Sequence, residues 1–542
     1  MELNDTVAQL STMADTLRLS PREFVKGKLH LPAYRALYLD KMLEQCGDIF
    51  THRDSRFRAL IKNFKTVEDS DFELPASLAG VLRGYQRYGY KWLRTLSSNG
   101  FGGILADDMG LGKTLQMIAV LLAEKEEGAI GTSLIVCPAS LVYNWLEEFA
   151  RFAPELSVCA VVGTQSDRTA ILQRYARWDV LVTSYDLLKR DCALYEELPF
   201  LYAVLDEAQY IKNHTTAAAK SVKLLKSRHR LALTGTPIEN RLSELWSIFD
   251  FVMPGFLYSY EVFRRDVEAP IVKKEDSRAS TWLKKMVAPF ILRRLKTDVL
   301  KDLPEKVEET RVVRFGDEQQ KLYDGQVVRM KELLNSTDDD TLSRSRIQVL
   351  AELTRIRQIC CDPALLFENY DSGSAKREAC LDLIRSAIEG EHKVLVFSQF
   401  TSMLALLKED LEKELIPFFE LTGSTPKQER LSMVSAFNEG NVPVFLISLK
   451  AGGTGLNLTG ADVVIHYDPW WNAAAQNQAT DRTHRIGQNR IVTVYKLIVK
   501  NSIEEKIQHM QELKLSLAEN IISSDASTLG TLSREDLLAL LS

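Results

Sequence analysis

The residues Ala106-Asp-Asp-Met-Gly-Leu-Gly-Lys-Thr114 carry the strongest chemical signal in the chain. An apolar run, FGGILA (101–106), precedes them, and Leu115, Ile118, Ala119 and Leu122 follow on one helical face. The order is strand, glycine-rich turn, helix. Gly110 and Gly112 let backbone N–H groups turn toward an anion, and Lys113 can reach β- and γ-phosphates. The Thr114 hydroxyl can ligate Mg²⁺. With Met109, these residues make a candidate cradle for a nucleoside triphosphate. One position departs from the generic GxxxxGK[ST] pattern: it places Gly at 107, where this chain has Asp107.

A metal-assisted hydrolase also needs carboxylates. Asp206-Glu207-Ala208-Gln209 closes the apolar run FLYAVLDEA (200–208). There Asp206 would act on Mg²⁺ and Glu207 would polarise an attacking water. A third element is Gln478-Ala-Thr-Asp-Arg482-Thr-His-Arg485, whose two arginines lie three apart and read as one face of a helix. Planar guanidinium forks suit γ-phosphate oxygens, and such a finger adds about 10³–10⁵ in rate. Supplied from a different lobe, it would make hydrolysis depend on lobe closure. A lone acidic pair or a lone basic pair would read as ordinary solvated surface; their combination with GKT is what carries the reading.

Two series of short β-rich runs must position these groups. The first is FGGILA, SLIVCP (133–138), VLVTSY (180–185), FLYAVLDEA and RLALTG (230–235). The second is KVLVFSQ (393–399), FFELTG (418–423), VFLISL (444–449), DVVIHYD (462–468) and VTVYKLI (492–498). Strands alternating with helical segments predict two α/β lobes with parallel sheets covered on both faces. Residues 240–390 between them are richer in helix-like and charged sequence. Within them, 281–306 carries seven Lys/Arg against Asp298, Asp302 and Glu305, a net of +4. It reads either as a functional face, with Lys284, Lys285, Arg293 and Arg294 gripping nucleic-acid (DNA) phosphates or helping the lobes engage, or as a solvated helix face. Ser20-Pro21-Arg22-Glu23 predicts a helix start, and Thr66 to Ser77 predicts a linker. Ser502-Ile503-Glu504-Glu505 predicts a capping box, with Ile503, Ile507, Met510, Leu517 and Ile521 as a packing stripe.

Composition narrows the partners. The 542 residues are 45% hydrophobic and 26% charged, with 68 Lys+Arg against 73 Asp+Glu, a formal charge of −5. That excludes a disordered chain and a wholly basic nucleic-acid coat, so any DNA-binding charge must be local. Seven cysteines without CxxC, and eight histidines without ligand spacing, argue for a reduced intracellular setting and against a structural zinc. The sequence shows no transmembrane run and no secretory signal.

Taken in order, the motifs resemble those of the SWI/SNF-type DNA-dependent ATPases of helicase superfamily two, over residues 80 to 507. LRGYQ (82–86) is similar to the adenine-reading Q motif, with Gln86 as base contact. ADDMGLGKT and DEAQ resemble motifs I and II, PASLVYNW (138–145) motif Ia, LTGTPIENRLSELW (233–246) motif III and LVFSQF (395–400) motif IV. SLKAGGTGLNLTGADVVIHYDPWWN (448–472) resembles motif V and DRTHRIGQ (481–488) motif VI. Gln209 stands where the family often has His, and Ala473 replaces the proline of WNP.

The resemblance implies a fold class of two RecA-like parallel-sheet lobes with helical protrusions and a mainly helical N-terminal segment. The expected divisions are 1–79 accessory, 80–310 lobe 1, 311–507 lobe 2 and 508–542 helical tail. Protrusions would account for 281–306 and for QICCDPALL (358–366). ATP and Mg²⁺ are the implied cofactors. Double-stranded DNA is the implied partner, with a DNA-bound protein such as RNA polymerase or a nucleoid protein as the displaced substrate. The resemblance makes Arg482 and Arg485 fingers and places Gly455 at the nucleotide. It puts Thr234, Thr236, Gln209 and Gln478 in coupling, and Lys450 and Thr454 near DNA phosphates. A monomer of bacterial cytoplasm, at the nucleoid, fits best; a eukaryotic member would be nuclear. Two other readings stay open: a strand-separating helicase, and a nucleotide-gated scaffold that recruits partners.

Overall fold

The computed structural model describes residues 32–45, 53–235, 242–274, 276–300, 304–335, 339–452, 456–470, 473–485, 487–510 and 541. They form two compact units whose main division falls between Val299 and Leu300. The helix start expected at Ser20 lies outside the described residues.

The first unit opens with helices α1 (Ala36–Gln45) and α2 (Ser55–Lys65). The Asp54 carboxylate caps α2 by accepting from Phe57 N–H at 2.6 Å. Buried Asp40 ties the two helices together through Arg53 Nε (2.8 Å) and Lys65 Nζ (3.2 Å). Arg35 anchors the pair: its guanidinium donates to Phe256 O at 3.0 Å and lies 4.6 Å from the Tyr258 ring centroid. The segment expected as a linker, 66–77, is laid down along helix α3 (Gly84–Ser98) instead. Tyr90 Oη donates to Glu73 O (2.6 Å), Lys91 Nζ donates to Glu68 O (2.6 Å), and Val67 is buried. Polar composition hid this docking, because main-chain carbonyls of Glu68 and Glu73 accept the bonds from α3.

Among the described residues seven strands follow: β1 (Gly103–Leu105), β2 (Ser133–Cys137), β3 (Val158–Ala160), β4 (Val180–Ser184), β5 (Pro199–Asp206), β6 (Lys226–Leu233) and β7 (Ile291–Leu292). They form one parallel sheet in the order β3-β4-β2-β5-β6-β1-β7. β1, β2 and β4 are buried throughout, as helix-covered parallel strands must be. Helix α4 (Lys113–Glu126) leaves the turn after β1, and α5 (Val142–Phe152) leaves the end of β2.

The second unit begins with β8 (Lys306–Val313), then a helical hairpin of α6 (Asp317–Asn335) and α7 (Asp339–Cys361), then α8 (Ala375–Glu389). Its remaining strands are β9 (Val394–Ser398), β10 (Phe418–Leu421), β11 (Val444–Ser448), β12 (Val463–His466) and β13 (Val492–Val499), with α9 (Ala473–Thr480) after β12. The parallel order is β10-β11-β9-β12-β13-β8. Both units are RecA-like parallel-sheet lobes. β8 runs in register with β13 from Lys306↔Val492 to Val313↔Val499. Residues 306–310, expected in the first lobe, therefore belong to the second sheet.

The hairpin packs Tyr323, Met330, Ile356 and Ile359 together with Ile503 and Ile507. That covers the described part of the expected stripe, Met510 packing beside it; Leu517 and Ile521 lie outside the described residues. The capping box is shifted: Ser502 Oγ accepts from Glu504 N (3.2 Å), and Glu505 reaches Asn501 N (2.9 Å). Glu504 turns inward, and both its oxygens accept from Lys376 Nζ at 2.6 Å, with both side chains fully buried.

The basic segment 281–306 is not one protruding face. Lys284 sits exposed on a helix over Ser277–Val287, and Arg293 is exposed. Arg294 and Lys296 turn inward, and Lys306 pairs with Glu308 at 2.6 Å. QICCDPALL is the end of α7 followed by a 3₁₀ turn at Pro363–Leu365.

Candidate nucleotide site

The turn between β1 and α4 has the backbone that its glycines allow. Gly110 and Gly112 have φ of +82° and +73°, a region that side chains with a Cβ rarely enter. Gly112 is doubly constrained, since a Cβ there would stand 2.3 Å from Gln86 Nε2. Gln86 is thus packed against the loop, buried, with its Oε1 accepting from Arg83 N at 2.9 Å. Met109 and Thr114 are half-buried in the same turn. Lys113 Nζ donates to Asp107 O (2.7 Å) and Asp108 O (3.3 Å), which holds the ammonium at the mouth of the loop. The N–H groups of the first turn of α4, whose intrahelical acceptors a helix start lacks, and this ammonium together make an anion site.

The acidic pair sits at the end of β5. Asp206 is buried, its Oδ2 accepting from Trp145 Nε1 at 2.9 Å and its Oδ1 from Glu207 N at 2.9 Å. Burial and the Glu207 charge push its pKa up to about 7, against the Trp145 hydrogen bond and the Lys113 charge. A carboxylate so poorly compensated suits a cation, and with the Thr114 hydroxyl it fits the donor set of a Mg²⁺ site. Glu207 adopts φ +50°, a left-handed conformation uncommon for a residue with a side chain. Its Oε2 accepts from Gln209 Nε2 at 2.8 Å, and Gln209 Oε1 accepts from Thr234 Oγ1 at 2.8 Å. A continuous line therefore runs from the acidic pair to the end of β6. Trp145, the last residue of the run that resembles motif Ia, orients Asp206 through its indole N–H.

In the second unit, Arg482 and Arg485 stand on turns after α9 rather than on one helical face. α9 ends at Thr480, because Thr483 Oγ1 donates back to Thr480 O (2.6 Å) and Arg482 O accepts from Leu458 N (3.0 Å). Arg482 is buried, and Arg485 Nη1 reaches Leu456 O at 3.5 Å. Gln478 is half-buried on α9. Lys450 falls in a short helix, Leu449–Gly452, with its side chain outside the described residues, as are Thr236, Thr454 and Gly455.

Asp107, the departure from the generic loop, is fully buried and takes both forks of Arg294. Arg294 Nε donates to its Oδ1 at 2.8 Å and Nη2 to its Oδ2. Sequence reading placed Arg294 among possible DNA contacts; the structure spends it inside the first unit. The only available signal was Asp107 itself, a carboxylate where Gly was expected.

A phosphate loop at the β1–α4 junction, an acidic pair at the end of β5, two places along the same sheet, and a second RecA-like lobe define a helicase-like ATPase. The chain belongs to the SNF2-related family: residues 85–365 match the SNF2-related domain. Residues 375–487 match the helicase conserved C-terminal domain, and residues 1–75, expected from the sequence only as an accessory segment, match the bacterial SNF2 helicase associated family. The chain is 41% identical over 502 residues to the putative ATP-dependent helicase/translocase YwqA of Bacillus subtilis, covering 90% of this chain and 54% of that one. It is 39% identical over 522 residues to an uncharacterized ATP-dependent helicase of Mycoplasma pneumoniae, covering 94% and 49%. The chain thus spans about half the length of these curated relatives. A solved Sulfolobus solfataricus SWI2/SNF2 ATPase core in complex with dsDNA is 40% identical, covering 85% of this chain and 96% of that one, with a TM-score of 0.42. Among the described residues no helix is long and apolar enough to cross a membrane.

Proposed function

We propose that the chain is an ATP-driven translocase on double-stranded DNA that remodels or displaces DNA-bound protein. The observation that carries this reading is the line Glu207–Gln209–Thr234, with two hydrogen bonds of 2.8 Å. It links the group that would orient the attacking water to the threonine loop that resembles motif III. A plain nucleotide hydrolase has no need of such a link; a motor needs its hydrolytic carboxylate to feel a distant grip.

In this reading the α4 N-terminus and Lys113 bind the β- and γ-phosphates, while Gln86 supports the loop from the base side. Thr114 and Asp206 would hold Mg²⁺, whose charge offsets that of the phosphate oxygens. Glu207 orients water, and Arg482 and Arg485 stabilise charge on the transferred group. Thr234, Thr236 and Gln478 transmit nucleotide state, with Gly455 at the nucleotide and Lys450 and Thr454 at DNA phosphates. The chain would act on nucleoid DNA as a monomer, with RNA polymerase or a nucleoid protein as the displaced substrate; the match of residues 1–75 to the bacterial SNF2 helicase associated family supports a bacterial setting.

The deciding measurement is the steady-state ATPase rate with and without duplex DNA. A strong rise is expected; a rate indifferent to duplex DNA would sink the coupling. Triplex displacement without unwinding of a forked duplex separates a translocase from a strand-separating helicase.

A further inference from the structure

We infer that Arg294 is a positioning residue for the nucleotide phosphates, acting through Asp107, and that this pair ties the phosphate loop to the segment by which the chain leaves the first unit. The inference rests on the nucleotide-binding reading above and adds to it a residue far outside the loop.

Arg294 makes more contacts than a structural ion pair needs. Besides the two forks to Asp107, Nη2 donates to Gln116 Oε1 at 2.9 Å and Nη1 donates to Tyr85 O, with the guanidinium 5.2 Å from the Tyr85 ring centroid. Gln116 Nε2 in turn donates to Asp107 Oδ2 at 3.2 Å. The Arg294 side chain is 12% exposed and that of Asp107 is 0% exposed, so the pair is little screened. Gly89 on α3 leaves it room: a Cβ there would lie 1.8 Å from Gln116 Oε1 and 2.8 Å from Arg294 Nη2.

Asp107 is fixed on both sides. Arg294 holds its carboxylate, and its own carbonyl accepts from Lys113 Nζ, the group that reaches for phosphate. The main chain around Arg294 is fastened to the same stretch. Leu292 O accepts from Ala106 N (2.7 Å), Arg294 O accepts from Asp108 N (3.0 Å), and Lys296 N donates to Asp108 Oδ2 (3.0 Å). Residues 292–296 are therefore fastened to 106–108, and the first unit ends three residues later at Val299. A glycine at 107, as in the generic loop, would keep the main-chain bonds and lose the two bonds from the Arg294 guanidinium to the carboxylate. Whatever sets the angle of the loop sets the angle of this segment, and the reverse holds by reciprocity.

The test uses the full chain carrying Arg294→Lys, Asp107→Asn, or both. Lysine keeps the charge and loses the fork; asparagine keeps the shape and loses the charge. The readouts are the dissociation constant of a fluorescent ATP analogue, KM and kcat for ATP with duplex DNA, and duplex affinity without nucleotide. Each single variant is expected to raise KM and the analogue's dissociation constant about tenfold, with the double no worse than either single. Duplex affinity without nucleotide should stay within about twofold. Unchanged nucleotide affinity would overturn the inference, even if the melting temperature fell, because the pair would then be structural only. If a single variant does not fold, Arg294→Gln with Asp107→Asn keeps hydrogen bonding without charge, and the same tenfold rise or its absence decides. The analogue titration reads nucleotide binding directly, so absence of duplex-stimulated hydrolysis in the native chain would remove the translocase reading without settling this one.

Discussion

Glu207 is held in a left-handed backbone conformation that costs about 1–3 kcal/mol for a residue with a side chain. The reward is aim: its carboxylate is directed at Gln209 and, through it, at Thr234. Gln209→Ala removes the middle of that line while leaving Lys113, Asp206 and Glu207 in place. Duplex-stimulated hydrolysis should then fall about tenfold or more, while the rate without DNA and the affinity for nucleotide hold nearly steady. Equal losses with and without DNA would mean that the line only supports Glu207. Glu207→Gln supplies the lower limit, abolishing hydrolysis and keeping nucleotide binding. At this scale the sequence was legible wherever chemistry is local. Lys113, Thr114 and the acidic pair sit in strand–turn contexts that leave few alternatives, and even the Gln209 bond to a motif III hydroxyl could be anticipated. Arg294 could not be found, because its partner lies 187 positions away and nothing in an RR dipeptide says which arginine turns inward.

Elements were legible in proportion to their burial. All ten strands expected from apolar runs exist, because helix-covered parallel strands are forced to be continuously apolar. β3, β7 and β8 escaped. β3 and β7 are three and two residues long. β8 is an edge strand, exposed along nearly its whole length and laced with Lys306, Glu308, Glu309 and Arg311, and such charge protects a sheet edge from unwanted pairing. The turn that carries Arg482 and Arg485 was read as helix because three-residue spacing cannot distinguish a helix from the turns that end one.

The same scale holds a stability prediction. Lys376 at the start of α8 and Glu504 after β13 form a fully buried ion pair that joins two elements far apart in sequence. Removing one partner strands a charge in the core, at a cost of about 3–5 kcal/mol. Lys376→Met should therefore lower the urea midpoint of the second unit strongly. Lys376→Met with Glu504→Leu should recover most of the loss, since no charge is left uncompensated. A double variant as unstable as the single would show that the pair does more than satisfy itself.

Taken whole, the proposed action on duplex DNA would have to reconcile a formal charge of −5 with binding to a polyanion. Binding can then draw only on local positive charge, and the structure reduces what is available near the end of the first unit. Of the seven basic residues in 281–306, Arg294 and Lys296 are turned inward and Lys306 is paired with Glu308. Lys284 and Arg293 remain exposed. The dependence of duplex affinity on salt counts phosphates neutralised, with a slope of about 0.9 per phosphate. Lys284→Glu and Arg293→Glu should each lower that slope by about one if these side chains lie on the DNA. Arg294→Lys should leave it unaltered, because its charge is already committed to Asp107. Should the slope ignore Lys284 and Arg293 as well, the segment is a solvated face, and the charge that grips DNA must come from elsewhere in the motor.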